Sequence, residues 1–136
     1  MASPGPVRIA IADDSPAFLA AAASYVASLP GCVLAGTAAS TLEALKLVEF
    51  AAPDVLLLDL GLSPVRGLGA VREIRAVPRP PAIIGLSLFY SEEIAAQARA
   101  AGAHALVGKE AFVSGLGEAL ERLSPQLAKR IADPAC

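Results

Sequence analysis

The stretch Pro53-Asp54-Val55-Leu56-Leu57-Leu58-Asp59 sets four large apolar residues in a row and closes them with a carboxylate, and Gly61 follows two positions later. A short unbroken apolar run between turn signals reads as a strand buried on both faces, as in a parallel sheet covered by helices. An Asp at the carboxyl end of such a strand lies on the edge where open α/β sheets carry their chemistry. If Asp59 is reactive, other strands should bring charged groups to the same edge. Two places do: Asp13-Asp14 after an earlier strand and Lys109 after a later one.

The rest of the chain alternates strand and helix around that run. Val7 to Ala12 reads as a first strand, and Ser15-Pro16 as a helix start with Ser as N-cap and Pro at the first helical position. Phe18, Ala22, Tyr25, Val26 and Leu29 follow at helical spacing until Pro30-Gly31. Cys32 to Ala38 is a second strand, and Ser40 or Thr41 caps a second helix with Glu43 close behind. After Asp59 the loop Gly61-Leu62-Ser63-Pro64 leads to a helix carrying Leu68, Val71 and Ile74, stopped by Pro78, Pro80 and Pro81. Ala82 to Leu86 is a fourth strand ending at Ser87. Ser91-Glu92-Glu93 opens a fourth helix and Gly102 closes it. His104 to Val107 is a fifth strand before Lys109, and a last helix carries Phe112, Leu116, Leu120 and Leu123. Five such repeats predict an α/β fold, a parallel sheet with helices on both faces and right-handed crossovers.

At 136 residues the chain fits one domain. A net charge of -2 and scattered charged residues make no footprint for direct nucleic-acid binding. Cys32 and Cys136 are too few for a disulfide framework and point to a reducing compartment. From Ser15 to Leu42 no residue is charged, but Pro30-Gly31 cuts the run to a helix of about 14 residues, short of the ~20 a membrane span needs. The opening Met1-Ala2-Ser3-Pro4-Gly5-Pro6 lacks the basic start and apolar core of a signal peptide. The expectation is a soluble cytoplasmic protein that does not engage a membrane.

The candidate groups all lie just past a strand's carboxyl end: Asp13 and Asp14, Asp59, Ser87 and Lys109. In a parallel sheet those ends share one edge. Clustered carboxylates repel unless a cation joins them, and an all-oxygen donor set suits a hard ion that keeps waters, Mg²⁺ above all. A carboxylate facing a divalent cation and a lysine is set up to attack a phosphoryl group, with a nearby hydroxyl such as Ser87 to bond a phosphoryl oxygen.

Over residues 7–123 the pattern resembles the receiver domain of two-component response regulators, a family that includes receiver–helix-turn-helix transcription factors. The pieces that carry the resemblance are I-A-D-D-S, P-D-V-L-L-L-D-L, I-I-G-L-S and A-G-A-H-A-L-V-G-K, with Gly67 eight residues after Asp59. The resemblance implies a flavodoxin-like, doubly wound five-stranded sheet of order 2-1-3-4-5 with five helices. It makes Asp59 the phosphoacceptor, Asp14 a direct Mg²⁺ ligand with Asp13 beside it, and the Gly61 carbonyl a further ligand. Lys109 would pair with the acceptor or its phosphoryl group, and Ser87 would be the hydroxyl switch. A sensor histidine kinase or phosphotransfer protein would be the phosphodonor. A homodimer through the fourth helix, fifth strand and fifth helix is a further option. Residues 1–123 would be the receiver domain. The stretch Leu123 to Ile131 resembles the linker of the transcription factors, and residues 124–136 would be a tail or the start of a linker to a C-terminal DNA-binding output domain.

Four positions depart from the family pattern. Leu106 stands where an aromatic is usual three residues before the lysine, Leu88 where a small residue follows the switch hydroxyl, and Glu110 where proline follows the lysine; the loop proline falls one place late, at Pro64. Leu88 is bulky enough to crowd the acceptor. Leu88 and Leu106 leave open a second reading, a phosphorylation-independent interaction module. A haloacid-dehalogenase-type phosphatase would need a second Asp where Gly61 stands. His104 is single, so neither a zinc site nor a Ser-His-Asp triad can be built around it, and Gly67-Leu68-Gly69 is no dinucleotide loop. The uncharged first helix is expected to be core plus a bland exposed face, or else a surface for kinase docking.

Overall fold

The computed structural model describes residues 5–62 and 68–123. Its strands are β1 (Val7–Ala12), β2 (Cys32–Ala38), β3 (Val55–Asp59), β4 (Ala82–Ser87) and β5 (Ala105–Gly108). Its helices are α1 (Pro16–Ser28), α2 (Thr41–Ala51), α3 (Leu68–Arg75), α4 (Glu92–Ala101) and α5 (Phe112–Glu121), with a 3-10 turn at Lys109–Ala111. The sheet order is β2-β1-β3-β4-β5 and every pairing is parallel, as expected of a doubly wound sheet. Pro64, Gly67 and the 124–136 segment lie outside the described residues.

Two apolar cores sandwich the sheet, and strand alternation decides which residue joins which. Ile9 and Ile11 of β1, Val55 and Leu57 of β3, and Ile84 and Leu86 of β4 face α1 and α5. Ala10, Ala12, Leu56, Leu58 and Ile83 face the other way, toward the buried residues of α2 to α4 such as Val48, Ile74 and Ala98. The small Ala residues of β1 let α2 approach closely, while the α1–α5 side carries the rings of Phe18, Tyr25 and Phe112, packed edge-to-face. All five residues of β3 are buried, which is why its run reads as unbroken rather than alternating.

Helix starts follow their caps. Ser15, Ser40 and Ser91 each accept a hydrogen bond from the backbone N–H three residues on. Ser40 rather than Thr41 is the cap of α2, and the Glu43 carboxylate reaches back to the Ala39 N–H. Gly102 ends α4 at φ 122°, and any side chain there would also meet Arg75. β5 begins and ends one residue later than the sequence suggests. The 3-10 turn between Lys109 and α5 was not foreseen.

Candidate functional site

Register carries the site. Ala12 pairs with Leu58, Asp59 with Leu86, and Ser87 with Gly108, so residues 13, 59, 87 and 109 meet at the carboxyl edge of the sheet. Alternation puts Asp13 on the face of Ile11, Asp59 on that of Leu57, and Lys109 on that of Val107; all three are the α1–α5 face.

Lys109 Nζ lies 2.6 Å from Asp13 Oδ2 and 3.7 Å from Asp59 Oδ2. Its ammonium also sits 4.6 Å above the Phe18 ring, a cation–π contact that orients the side chain. Asp13 is fully buried, and its other oxygen accepts the Ser15 N–H at 2.8 Å. The Asp-Asp-Ser-Pro segment thus does two jobs, fixing Asp13 and starting α1. Asp14 is exposed at the rim. Carboxylate oxygens from Asp13, Asp14 and Asp59 fall within 4.8 Å of one another. Like charges this close, with oxygen donors alone, fit a hard divalent cation.

Asp59 is 7% exposed, and Gly61 N–H donates to its Oδ1 at 3.1 Å. Burial pushes the Asp59 carboxyl above its ordinary value; the Gly61 bond pulls it down, Asp13 pushes it up and Lys109 pulls it down. A carboxylate of raised basicity is a better nucleophile than a solvated one.

Ser87 is placed differently. By alternation it shares the face of Ile83 and Gly85, and its hydroxyl donates to the Phe89 carbonyl at 2.5 Å rather than toward Asp59. Leu106 is buried over Gly85, where the Leu60 side chain also packs. Leu88 is 69% exposed, turned to solvent instead of being buried against the acceptor. Glu110 folds back so that its Oε2 accepts the Tyr90 N–H at 3.2 Å. Asp13, Asp14, Asp59 and Lys109 are therefore brought together as the spacing predicts, with Gly61 attached through its N–H. Phe18 and Glu110 were missed as neighbours of the site, Phe18 because it read as one more residue of a packing face.

His104 lies away from this edge. Its backbone N–H donates to Ile83 O and its Nδ1 accepts the Ile83 N–H, so the ring holds the start of β5 to β4. Among the described residues no helix is long and apolar enough to cross a membrane.

Known proteins match this arrangement. The family described as response regulator receiver domain matches residues 9–121. A protein-glutamate methylesterase/protein-glutamine glutaminase of Myxococcus xanthus is 31% identical over 131 residues, 96% of this chain but 37% of the relative's length. The chain thus spans little more than a third of that relative. A two-component response regulator of the LuxR family from Aurantimonas superimposes with a TM-score of 0.77 at 28% identity, covering 96% of this chain and 99% of that one. A chain in the crystal structure of the CheA3 P1 domain in complex with CheY6 from R. sphaeroides gives 0.69 at 28% identity, covering 84% and 91%. The chain belongs to the response regulator receiver domain family, and it is a receiver domain of two-component signalling.

Proposed function

We propose that Asp59 is the phosphoacceptor of this domain, and that the chain acts as a cytoplasmic signalling domain rather than as an enzyme on an external substrate. One observation carries this reading: a nearly buried carboxylate of raised basicity lies beside a lysine and two further carboxylates. An Asp59 oxygen attacks phosphorus, the bond from phosphorus to the donor breaks, and its electron pair leaves with the donor. Lys109, held by Asp13, offsets charge on the phosphoryl oxygens as the acyl phosphate forms. Gly61 N–H holds the non-attacking oxygen in place. Asp13, Asp14, Asp59 and the Gly61 carbonyl would hold Mg²⁺, which supplies charge compensation at the equatorial oxygens when bound.

The donor in this reading is a phosphohistidine on a kinase or phosphotransfer protein, a partner class supported by the likeness to a chain solved with a P1 domain. In this reading residues 1–123 are the receiver, and 124–136 a tail or the start of a linker to an output domain. The interaction-module alternative explains neither the raised Asp59 carboxyl nor its lysine. The test is phosphotransfer from a labelled histidine kinase, followed by hydroxylamine, which cleaves acyl phosphates. Label that reaches the wild-type chain, is absent from Asp59→Asn and is released by hydroxylamine supports the assignment. Label that survives the substitution refutes it.

A further inference from the structure

Two short segments interlock twice beside the acceptor. Asp13 and Phe18 come from one of them, Lys109 and Phe112 from the other. The Asp13 carboxylate meets the Lys109 ammonium at 2.6 Å, and the Phe18 ring meets the Phe112 ring edge-to-face, with centroids 5.2 Å apart. Two bonds wind the first segment: Ser15 N–H donates to the Asp13 carboxylate at 2.8 Å, and Phe18 N–H donates to the Ser15 hydroxyl at 3.4 Å. In the second, the 3-10 turn at Lys109–Ala111 brings Lys109 and Phe112 to the same side of the chain. Tyr25 packs on Phe112 in turn, at 5.9 Å, so the Phe18 ring rests on a braced neighbour.

Packing alone would explain this ring if only carbon touched it. Instead the Lys109 ammonium sits 4.6 Å from the Phe18 centroid, while it stands 3.7 Å from Asp59, too far for a hydrogen bond. Asp13 is therefore its one tight anchor, and a flexible four-carbon stem lets an ammonium pivot about a single anchor. We propose that Phe18 is a positioning residue for phosphoryl transfer to Asp59: the ring holds the Lys109 ammonium against that pivot and within reach of the incoming phosphoryl oxygens. The proposal rests on the phosphoacceptor reading of Asp59. A ring suits this task because it attracts the cation through its quadrupole and brings no negative charge. A further carboxylate would cancel the charge that the phosphoryl group must meet, and an aliphatic side chain would pack without attracting the ammonium. The Lys109 side chain is only 15% exposed, which strengthens the attraction by keeping water from it. Phe18 acts through Lys109, not on the phosphoryl group itself.

The experiment grades the ring's charge while nearly keeping its shape. In the full chain, Phe18 is replaced by phenylalanine carrying one, two or three ring fluorines, which drain the negative face stepwise, and separately by Phe18→Leu. Adduct formation from acetyl phosphate at saturating Mg²⁺ is timed by intact mass. The Lys109 side-chain protons are followed by NMR, because an aromatic face beside them shifts them upfield. That upfield shift should be present in the wild type and lost in Phe18→Leu. The adduct rate should fall with each fluorine, by about threefold to tenfold across the series, and Phe18→Leu should be at least as slow as the trifluorinated ring. A wild-type adduct whose rate ignores fluorination overturns the proposal, makes Phe18 a packing residue and leaves the phosphoacceptor reading standing. No adduct in the wild type overturns that reading, and the positioning role with it.

Discussion

Lys109 Nζ is 2.6 Å from Asp13 Oδ2 but 3.7 Å from Asp59 Oδ2, so the lysine of the site is held chiefly by the carboxylate that is not the acceptor. Asp13 is fully buried and depends on that ammonium. Asp59 keeps a weaker share of it, which is consistent with a carboxyl pushed above its ordinary value, mainly by burial. The pair holds Lys109 in reserve for added charge on Asp59.

Lys109→Met should therefore destabilise the fold as well as silence the site. It strands Asp13 in the interior without a counter-charge, a change that costs about 3 kcal/mol. Urea unfolding at neutral pH reads this directly. An unchanged midpoint with an unchanged slope would show that Asp13 finds another partner.

Asp59→Asn should raise the melting temperature by several degrees in metal-free buffer at pH 7. A carboxyl whose folded-state value is raised binds its proton more tightly folded than unfolded, so ionisation at neutral pH costs stability. That cost is present above the folded-state value and disappears as pH falls through it. The gain from Asp59→Asn should accordingly shrink on acidification; a gain that grows instead would reverse the sign of the shift.

His104 works in the opposite sense. Burial, then Arg75, hold its imidazole below its ordinary value, and the Ile83 N–H donates into Nδ1. The folded state prefers the neutral ring, so its contribution is intact above about pH 6.5 and is lost as pH falls toward the depressed value. Between pH 7.5 and 5.5 the wild-type urea midpoint should fall more than that of His104→Gln. Parallel falls would remove His104 as the cause.

Leu88→Ala should leave the rate of labelling by acetyl phosphate within about twofold, because an exposed side chain remote from packing carries little energy. A large acceleration would mean that Leu88 closes over Asp59 in solution.

The sequence carried the strands and the site's charged groups because both rest on short-range rules. Alternation along Val7–Ala12 and Val55–Asp59 fixes the face on which Asp13 and Asp59 emerge, and serine caps fix where α1, α2 and α4 begin. The direction of a hydroxyl is another matter. Ser87 could be placed at its strand end, but its bond to Phe89 depends on how the next three residues turn. Glu110 meets Tyr90 across 20 residues of sequence, a contact no local pattern encodes, so in the sequence it stands only as a departure from the usual proline. Phe18 lies under Lys109 for the same reason: helical spacing assigns it to the packing face but cannot say which cation crosses its ring.

The most direct measurement is the intact mass of the chain after incubation with acetyl phosphate, with and without Mg²⁺, beside Asp59→Asn. A single phosphoryl adduct that requires both Mg²⁺ and Asp59 is the predicted result. No adduct with Mg²⁺ present, or an adduct that persists in Asp59→Asn, would contradict the assignment of Asp59 as the phosphoacceptor.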